Sequence, residues 1–212
     1  MSNKYLEWIK NHWQNSAILV LVYIIVTLIP VFFRLELIEF MLLLAFPLYL
    51  VHEIEEYILP GGFDDFFNKN LLNINPSDAI VPIDKTAVFW INFIFIWLVI
   101  PIFSGLGFIH LSFSAWIPYF LIFQGLSHLA MGLKGKKIIN PGIRSSFILH
   151  LPYAFIMISL YKSSGIIHHP IMNIHLVIGF IFNGLLPVIA VMPNKYGIMS
   201  RYRRRIEKEK FK

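Results

Sequence analysis

The chain has 212 residues, of which 57% are hydrophobic, 16% aromatic and only 14% charged. Soluble domains carry about a quarter charged residues, so this composition excludes an ordinary water-soluble fold, and the many aromatic residues exclude a disordered chain. The formal net charge is +6 and there is no cysteine, which excludes disulfides, a thiolate nucleophile and cysteine metal ligands within this sequence.

Six apolar segments follow one another along the chain, each close to the roughly 20 residues that cross the hydrocarbon core of a bilayer. Their period is typical of buried helices rather than strands. We therefore predict an all-α polytopic membrane protein, a bundle of about six transmembrane helices that forms one domain over residues 1–193. Pro101 and Pro187 are expected to kink or shorten the third and sixth spans. The predicted spans are 16–33, 37–59, 86–108, 114–133, 143–161 and 171–192.

The positions of the basic residues predict the orientation. With six spans, the basic loop 134–144 and the basic tail 194–212 fall on the same side, which the excess of Lys and Arg assigns to the cytoplasm. Both termini and the segment 60–85 would then be cytoplasmic, in a multi-pass protein of the cell membrane. The tail is expected to contact anionic membrane lipid. Nucleic acid is excluded as a partner, because aromatic residues in buried runs cannot stack on bases.

The second span is unusual because it contains charges. Its inner half contains His52, Glu53, Glu55 and Glu56. A charged side chain in a membrane helix is costly, at about 2.5–3.5 kcal/mol on insertion scales for a position at the helix centre. At about 100° per residue, Glu55 and Glu56 lie about 60° and 40° to either side of His52, with Glu53 at the edge of this polar face. A histidine and a carboxylate at this spacing can bind one metal ion from a single helix.

Other polar residues are expected to meet this face. Counting depth along each span places five of them in one layer with His52, roughly 10 Å below the cytoplasmic surface at about 1.5 Å per residue. His175 falls in the outer half of the bundle, and His168 and His169 fall at its outer end. The residues of the layer are Asn92, Gln124, His128, His150 and Asn183.

Four motifs in this order resemble the HXXEE family of uncharacterised multi-pass membrane proteins. They are His52 to Glu56, Pro60 to Phe63, Gln124-x-x-x-His128 and Asn140-Pro141-Gly142, and the resemblance runs from about residue 46 to residue 193. It implies a metal-binding, hydrolytic membrane protein in which His52, Glu55, Glu56 and His128 hold the metal. A looser likeness to CAAX-protease-like intramembrane hydrolases fails at Pro60, where those enzymes carry an arginine.

The leading hypothesis is a metal-dependent hydrolase that acts on a lipid or lipid-soluble substrate. His52 and His128 would be ligands, Glu55 or Glu56 would be the third, and the remaining glutamate would be the general base. Mixed His and Glu ligands suit zinc, iron or manganese.

Four further side chains are given roles in the same hypothesis. Gln124 and Asn92 would orient ligands or stabilise an oxyanion. A second metal would need His150 or Glu53 as a further ligand.

Alternatives remain open for each motif. The protein is alternatively a small transporter or proton-coupled binding protein that uses Glu55 and Glu56 as a relay, or a non-catalytic partner protein in which the polar cluster only fixes helix packing. A pocket closed on the outside favours the enzyme, and a continuous polar path favours transport. The segment 140–142 is expected to cap the fifth span, or else to hold an anionic head group beside Arg144.

Overall fold

The computed structural model describes residues 4–73, 83 and 85–196, with the side chains of residues 6, 7 and 190–196 left aside. The fold is all-helical, with 79% helix, and the described residues contain no strand. Residues 197–212, most of the predicted basic tail, lie outside this part of the chain. The long helices are α1 Lys4–Phe32, α2 Leu37–Tyr57, α4 Lys85–Leu106, α5 Ile117–Lys134, α6 Ile143–Ser163 and α7 Ile174–Tyr196, and a short helix, α3, covers residues 63–71.

Four of these helices are long and apolar enough to cross a membrane, namely α1, α2, α4 and α6. The prediction of six spans is therefore confirmed only in part within the described residues. All six segments are helical, but the polar residues Gln124, Ser127 and His128 make α5 less apolar. The apolar stretch of α7 is the shorter segment Ile174–Ile189. The side of the membrane on which the termini lie stays a prediction.

The outer surface of the bundle is strongly apolar. Many large apolar side chains on α1, α4, α6 and α7 are exposed. Four examples that are at least 60% exposed are Leu19, Val26, Ile148 and Phe180. A contiguous apolar surface of this extent is typical of contact with lipid rather than water. One group of polar side chains, which includes His52, Glu56 and His128, is by contrast buried inside the bundle.

Helix α2 is the centre of the bundle and packs against α1, α4 and α6, while α5 packs against α6 and α7. The half of the bundle near Leu37 is filled by apolar and aromatic side chains, among them Leu42, Ile100, Phe120 and Tyr161, all buried. The buried polar side chains lie mainly toward the other half. The bundle therefore has an apolar half and a polar half, which follow one another along the helix axes.

Two long helices widen into π-helical turns beside the polar half of the bundle. The π segments are Asn92–Val99 in α4 and Ser146–His150 in α6, and each ends two residues before a proline, Pro101 or Pro152. A proline lacks the backbone N–H and clashes with the carbonyl four residues earlier, and a wider turn relieves this clash. Neither Pro101 nor Pro187 ends its helix, since α4 and α7 continue beyond them.

Candidate metal centre

Two histidines and one glutamate, His52, His128 and Glu56, meet in the polar half of the bundle and form the candidate metal centre. The Nε2 atom of His52 lies 3.4 Å and that of His128 lies 3.2 Å from the same oxygen, Oε1 of Glu56. All three residues are buried, and one ligand atom from each lies within 4.8 Å of the others. Helix α2 supplies His52 and Glu56 one turn apart, and α5 supplies His128, as their spacing and depth predict.

The other ring nitrogen of His52 is fixed by a serine of α6. Its Nδ1 lies 3.0 Å from Oγ of Ser145, and this hydroxyl donates its own proton at 2.5 Å to Oε2 of Glu55. With that proton given to Glu55, Ser145 can only accept from the Nδ1–H of His52, and the Ser146 hydroxyl lies 3.4 Å from the same nitrogen as a second, longer contact. The Nε2 atom of neutral His52 therefore carries a lone pair.

An asparagine imposes the same tautomer on His128. The amide nitrogen of Asn140 donates to the backbone carbonyls of His128 and Ile138, at 2.9 and 3.0 Å. Its amide oxygen therefore faces Nδ1 of His128, at 3.0 Å, and accepts its proton. The Nε2 atom of His128 is thus also left with a lone pair directed toward Glu56.

Three electron-pair donors, two imidazole nitrogens and a carboxylate oxygen, consequently converge on one point. Such an arrangement is repulsive unless a cation or shared protons lie between the atoms. Two ligands at about 2.0–2.1 Å from a tetrahedral zinc ion are about 3.3 Å apart, and the measured separations of 3.2 and 3.4 Å agree with this value. The hydrogen bonds that the outer ring nitrogens donate to Ser145 and Asn140 are the usual support of metal-binding histidines. The residues therefore fit a divalent metal ion.

Gln124 completes the fourth side of the group. Its amide nitrogen lies 3.5 Å from Nε2 of His52 and 3.4 Å from Nε2 of His128. Its amide oxygen accepts a hydrogen bond of 2.7 Å from Asn183 of α7, whose own oxygen accepts one of 2.9 Å from Ser127. Gln124 and Asn183, both predicted for this layer, are thus connected to the histidines in series: Gln124 contacts the rings, and Asn183 contacts Gln124.

Glu55 is placed differently from Glu56. Its carboxylate accepts the backbone N–H groups of Arg144 and Ser145, at 3.2 and 2.7 Å, in addition to the Ser145 hydroxyl. It thereby caps the first turn of α6, where free N–H groups attract a negative charge. The structure does not bring Glu55 into the group of His52, Glu56 and His128. Glu55 also occupies the helix N-terminus for which an anionic head group was considered.

The remaining predicted residues surround the centre. The His150 ring lies 4.7 Å from that of His52 and stacks on Tyr49, but it is not part of the three-residue group. Glu53 turns toward α4, where Nε1 of Trp97 donates to it at 2.8 Å. Asn92 donates to the Tyr57 hydroxyl at 3.3 Å.

Gly142 covers the centre at close range. Its φ of +93° lies in the region that favours glycine, and a Cβ atom built on it would lie 2.5 Å from Cε1 of His128, 2.8 Å from Cε1 of His52 and 3.0 Å from Cγ of Glu56. The backbone between α5 and α6 is therefore in direct contact with all three residues. No side chain fits at this position without displacing them.

A cavity of about 100 Å³ opens beside the centre. Glu56 and Gln124 form part of its wall, together with the polar side chains of Asn92, Ser127 and Asn183. Aromatic and aliphatic side chains of α3, α4, α5 and α7 form the rest, namely Phe63, Phe67, Val88, Ile91, Met131, Leu186 and Pro187, with Ile83 and the rings of Tyr49 and Tyr57. The centre is thus accessible from a mainly apolar space.

Three of the residues that shape the centre were not assigned this role from the sequence. Asn140 and Gly142 were interpreted as a helix cap, and Ser145 was not considered. A serine or asparagine has no period or charge that singles it out, and only the pairing of α6 with α2 and α5 reveals these contacts. The order of the 140–142 motif after the histidine motif was the one available signal.

Comparison with known families gives one match. A family model described as "Protein of unknown function with HXXEE motif" matches residues 43–157, more than half of the chain. The matched region contains His52, Glu56 and His128 and the loop that orients them. No curated protein and no solved structure matches the chain significantly.

Proposed function

The chain belongs to the HXXEE-motif family of unknown function, and on this premise we propose that it is a multi-pass protein of the cell membrane with a metal-dependent hydrolase centre. His52, Glu56 and His128 hold a divalent ion, which is zinc, iron or manganese. The substrate is a lipid or a lipid-soluble molecule. The observation that carries the proposal is that one imidazole nitrogen from each of two histidines lies 3.2–3.4 Å from the same carboxylate oxygen of Glu56 in a buried site, with all three ligand atoms within 4.8 Å of one another.

The surroundings of the three ligands support a metal rather than a purely structural knot. A structural cluster needs only that each buried polar atom has a partner. Here both outer ring nitrogens are already engaged, by Ser145 and by Asn140. The two inner ring nitrogens share the Gln124 amide nitrogen at 3.4–3.5 Å, and their common approach to one oxygen of Glu56 is additional to these contacts. Both histidines present Nε2 toward Glu56, and this is the nitrogen through which each neutral ring would bind a metal.

The chemistry follows from the groups that face the cavity. A bound divalent ion supplies Lewis acidity, which polarises a carbonyl and acidifies water. Glu56 lies in both the cluster and the cavity wall, so the oxygen of its carboxylate that does not hold the ion would act as the base toward a substrate. Gln124 presents amide N–H groups at the same wall, where they can donate to an oxygen that develops negative charge. Glu55 contributes indirectly, through Ser145, by holding His52.

The apolar lining favours a substrate that reaches the centre from the membrane. Most of the wall is aliphatic or aromatic, and it contains neither lysine nor arginine among the described residues. An acyl chain that moves from lipid into this cavity stays in apolar surroundings, whereas a polar or charged substrate would lose its hydration there. The polar side chains lie near the centre, so a scissile ester or amide would be directed toward Glu56.

Elemental analysis of detergent-purified protein tests the metal site. After exposure to zinc, iron(II) or manganese and removal of free metal, wild type is expected to retain about one ion per chain of the preferred metal, and His52→Ala/His128→Ala none. The matched control is His168→Ala/His169→Ala, which removes two exposed histidines. Equal metal content in all three proteins would refute the site.

A separate assay tests the hydrolase. Wild type in proteoliposomes is expected to cleave members of a panel of fluorogenic fatty-acyl esters and amides, and both Glu56→Gln and metal chelation should abolish the cleavage. Metal binding without cleavage of any member would retain the site and refute this reaction.

The relay alternative rests on one observation, the hydrogen-bonded series from Glu55 through Ser145 to His52. A transporter also needs a polar path to the opposite end of the helices. In the described part of the bundle, that end is filled by fully buried apolar residues such as Leu42, Ile100 and Phe120, which favours the enzyme. Proton flux through wild-type liposomes that Glu55→Gln abolishes would favour the relay.

A further inference from the structure

The orientation of the Gln124 amide is fixed from outside the centre. Its oxygen is occupied by the Asn183 amide nitrogen at 2.7 Å, and the Asn183 oxygen is in turn occupied by the Ser127 hydroxyl at 2.9 Å. An amide whose oxygen accepts a hydrogen bond on one side presents its N–H groups on the other. These groups lie 3.4–3.5 Å from both Nε2 atoms.

We infer that Asn183 and Ser127 are positioning residues that keep Gln124 a hydrogen-bond donor toward the centre. This inference rests on the proposed metal site. Once the histidine lone pairs are shared with a cation, they no longer accept, and the two N–H groups of Gln124 become available to an oxygen or another anionic ligand beside it. Gln124 therefore binds the anionic ligand or substrate oxygen, and the metal ligands remain His52, Glu56 and His128.

The location of the two positioning residues makes them part of substrate binding. Ser127, half-buried, and Asn183, 8% exposed, both line the cavity together with Gln124. They belong to different helices, α5 and α7, so their hydrogen bond also sets the distance between these helices at the depth of the centre. A substrate that enters between α5 and α7 is thus next to the groups that orient the donor.

Azide binding to the Co²⁺-loaded protein tests this role without any enzymatic activity. Azide is followed at pH 8 by the visible absorption of cobalt, with cobalt stoichiometry measured in parallel. In Asn183→Asp, the ionised carboxylate only accepts, so Gln124 must turn its N–H groups toward it and its oxygen toward the centre. One lost hydrogen bond to a charged ligand corresponds to roughly a tenfold to hundredfold weaker azide affinity.

The new charge of Asn183→Asp by itself also weakens anion binding, and the background Gln124→Met isolates this effect. There, Asn183→Asp is expected to weaken azide binding clearly less than it does in the presence of Gln124. An equal fold-change in both backgrounds, or a wild-type cobalt spectrum that azide leaves unchanged, would overturn the inference. Ser127→Ala gives a second measurement if Asn183→Asp fails to fold. It is expected to loosen azide binding several-fold at unchanged cobalt stoichiometry, and unchanged azide binding would also overturn the inference.

The two proposals fail in different ways. A wild-type protein that binds none of cobalt, zinc, iron(II) and manganese refutes the metal site and this role with it. A protein that retains metal in all variants, with the same azide affinity throughout, refutes only the positioning role of Asn183 and Ser127.

Discussion

The substitution Gly142→Ala directly tests whether the backbone between α5 and α6 holds the centre in place. The added methyl group would lie 2.5 Å from a ring carbon of His128 and 2.8 Å from one of His52. Real Cβ atoms essentially never approach other heavy atoms so closely, so the rings or the loop must move. Because both rings carry their donor nitrogens toward Glu56, such a movement changes the separations of 3.2 and 3.4 Å that suit a metal ion.

The expected magnitude has two parts. Overpacking a well-packed interior costs about 1–3 kcal/mol, and a non-glycine residue in the left-handed region of φ costs about 1–3 kcal/mol. The second part is shared by Gly62, which has a φ of +86° but no atom within 4 Å of an added Cβ. Gly62→Ala is therefore the matched control, and the difference between the two variants measures the contact with the histidines.

The assay combines zinc affinity, measured by competition with a chromophoric chelator, and thermal unfolding in detergent. Gly142→Ala is expected to bind zinc roughly tenfold to a hundredfold more weakly than Gly62→Ala, the equivalent of about 1–3 kcal/mol. It should also unfold at a lower temperature. If both variants bind zinc as tightly as wild type, Gly142 does not press on the metal ligands and the geometry of the centre is refuted.

Three further predictions concern the residues around the centre. Asn140→Asp loses the hydrogen bonds to the carbonyls of His128 and Ile138 and should lower stability, but it keeps an acceptor for Nδ1 of His128. It should therefore bind zinc more tightly than Asn140→Leu, which should lose roughly tenfold to a hundredfold in titrations; equal affinities of the two variants would refute the orienting role. Glu55→Gln should lower stability to unfolding by about 1–3 kcal/mol, because it weakens charge-assisted hydrogen bonds, but it should keep its metal, whereas Glu56→Gln should lose the metal in elemental analysis. The reverse pattern would exchange their roles. His150→Phe should retain one metal per chain by the same analysis, and a drop from two ions to one would make His150 a ligand of a second metal.

The sequence predicted the meeting of His52, Glu56 and His128 because each of the three lies at a countable depth in an apolar helix. Burial in a membrane restricts the position of a residue to one dimension, and the helical period supplies the angle. The same angles did not distinguish Glu55 from Glu56, since both lie within about 60° of His52. What separates them is the position of the first turn of α6, a long-range contact between residues 90 positions apart.

The number of membrane spans was harder to predict than the centre. Gln124, Ser127 and His128 lower the hydropathy of α5, which is not among the four helices long and apolar enough to cross a membrane. Helix α2 carries the charged residues of the site only at its end, and the rest of it is apolar enough to qualify. The π segments of α4 and α6 were not predicted either. A proline signals a disturbance of the helix, but whether the chain bends, stops or widens depends on the packing of the neighbouring helices.

The dependence of Glu55 on α6 has a consequence for biogenesis. The ribosome delivers the end of α2, with Glu53, Glu55 and Glu56, about 90 residues before the backbone amides that bind Glu55, a delay of roughly 5–20 s at about 5–20 residues per second. During this interval the acidic end of α2 must stay near the aqueous interface or enter the lipid in protonated form. Assembly is therefore completed late, when the loop at Gly142 reaches α2 and α5. A chain truncated before that loop would lack the amides that bind Glu55, and we expect it to be degraded.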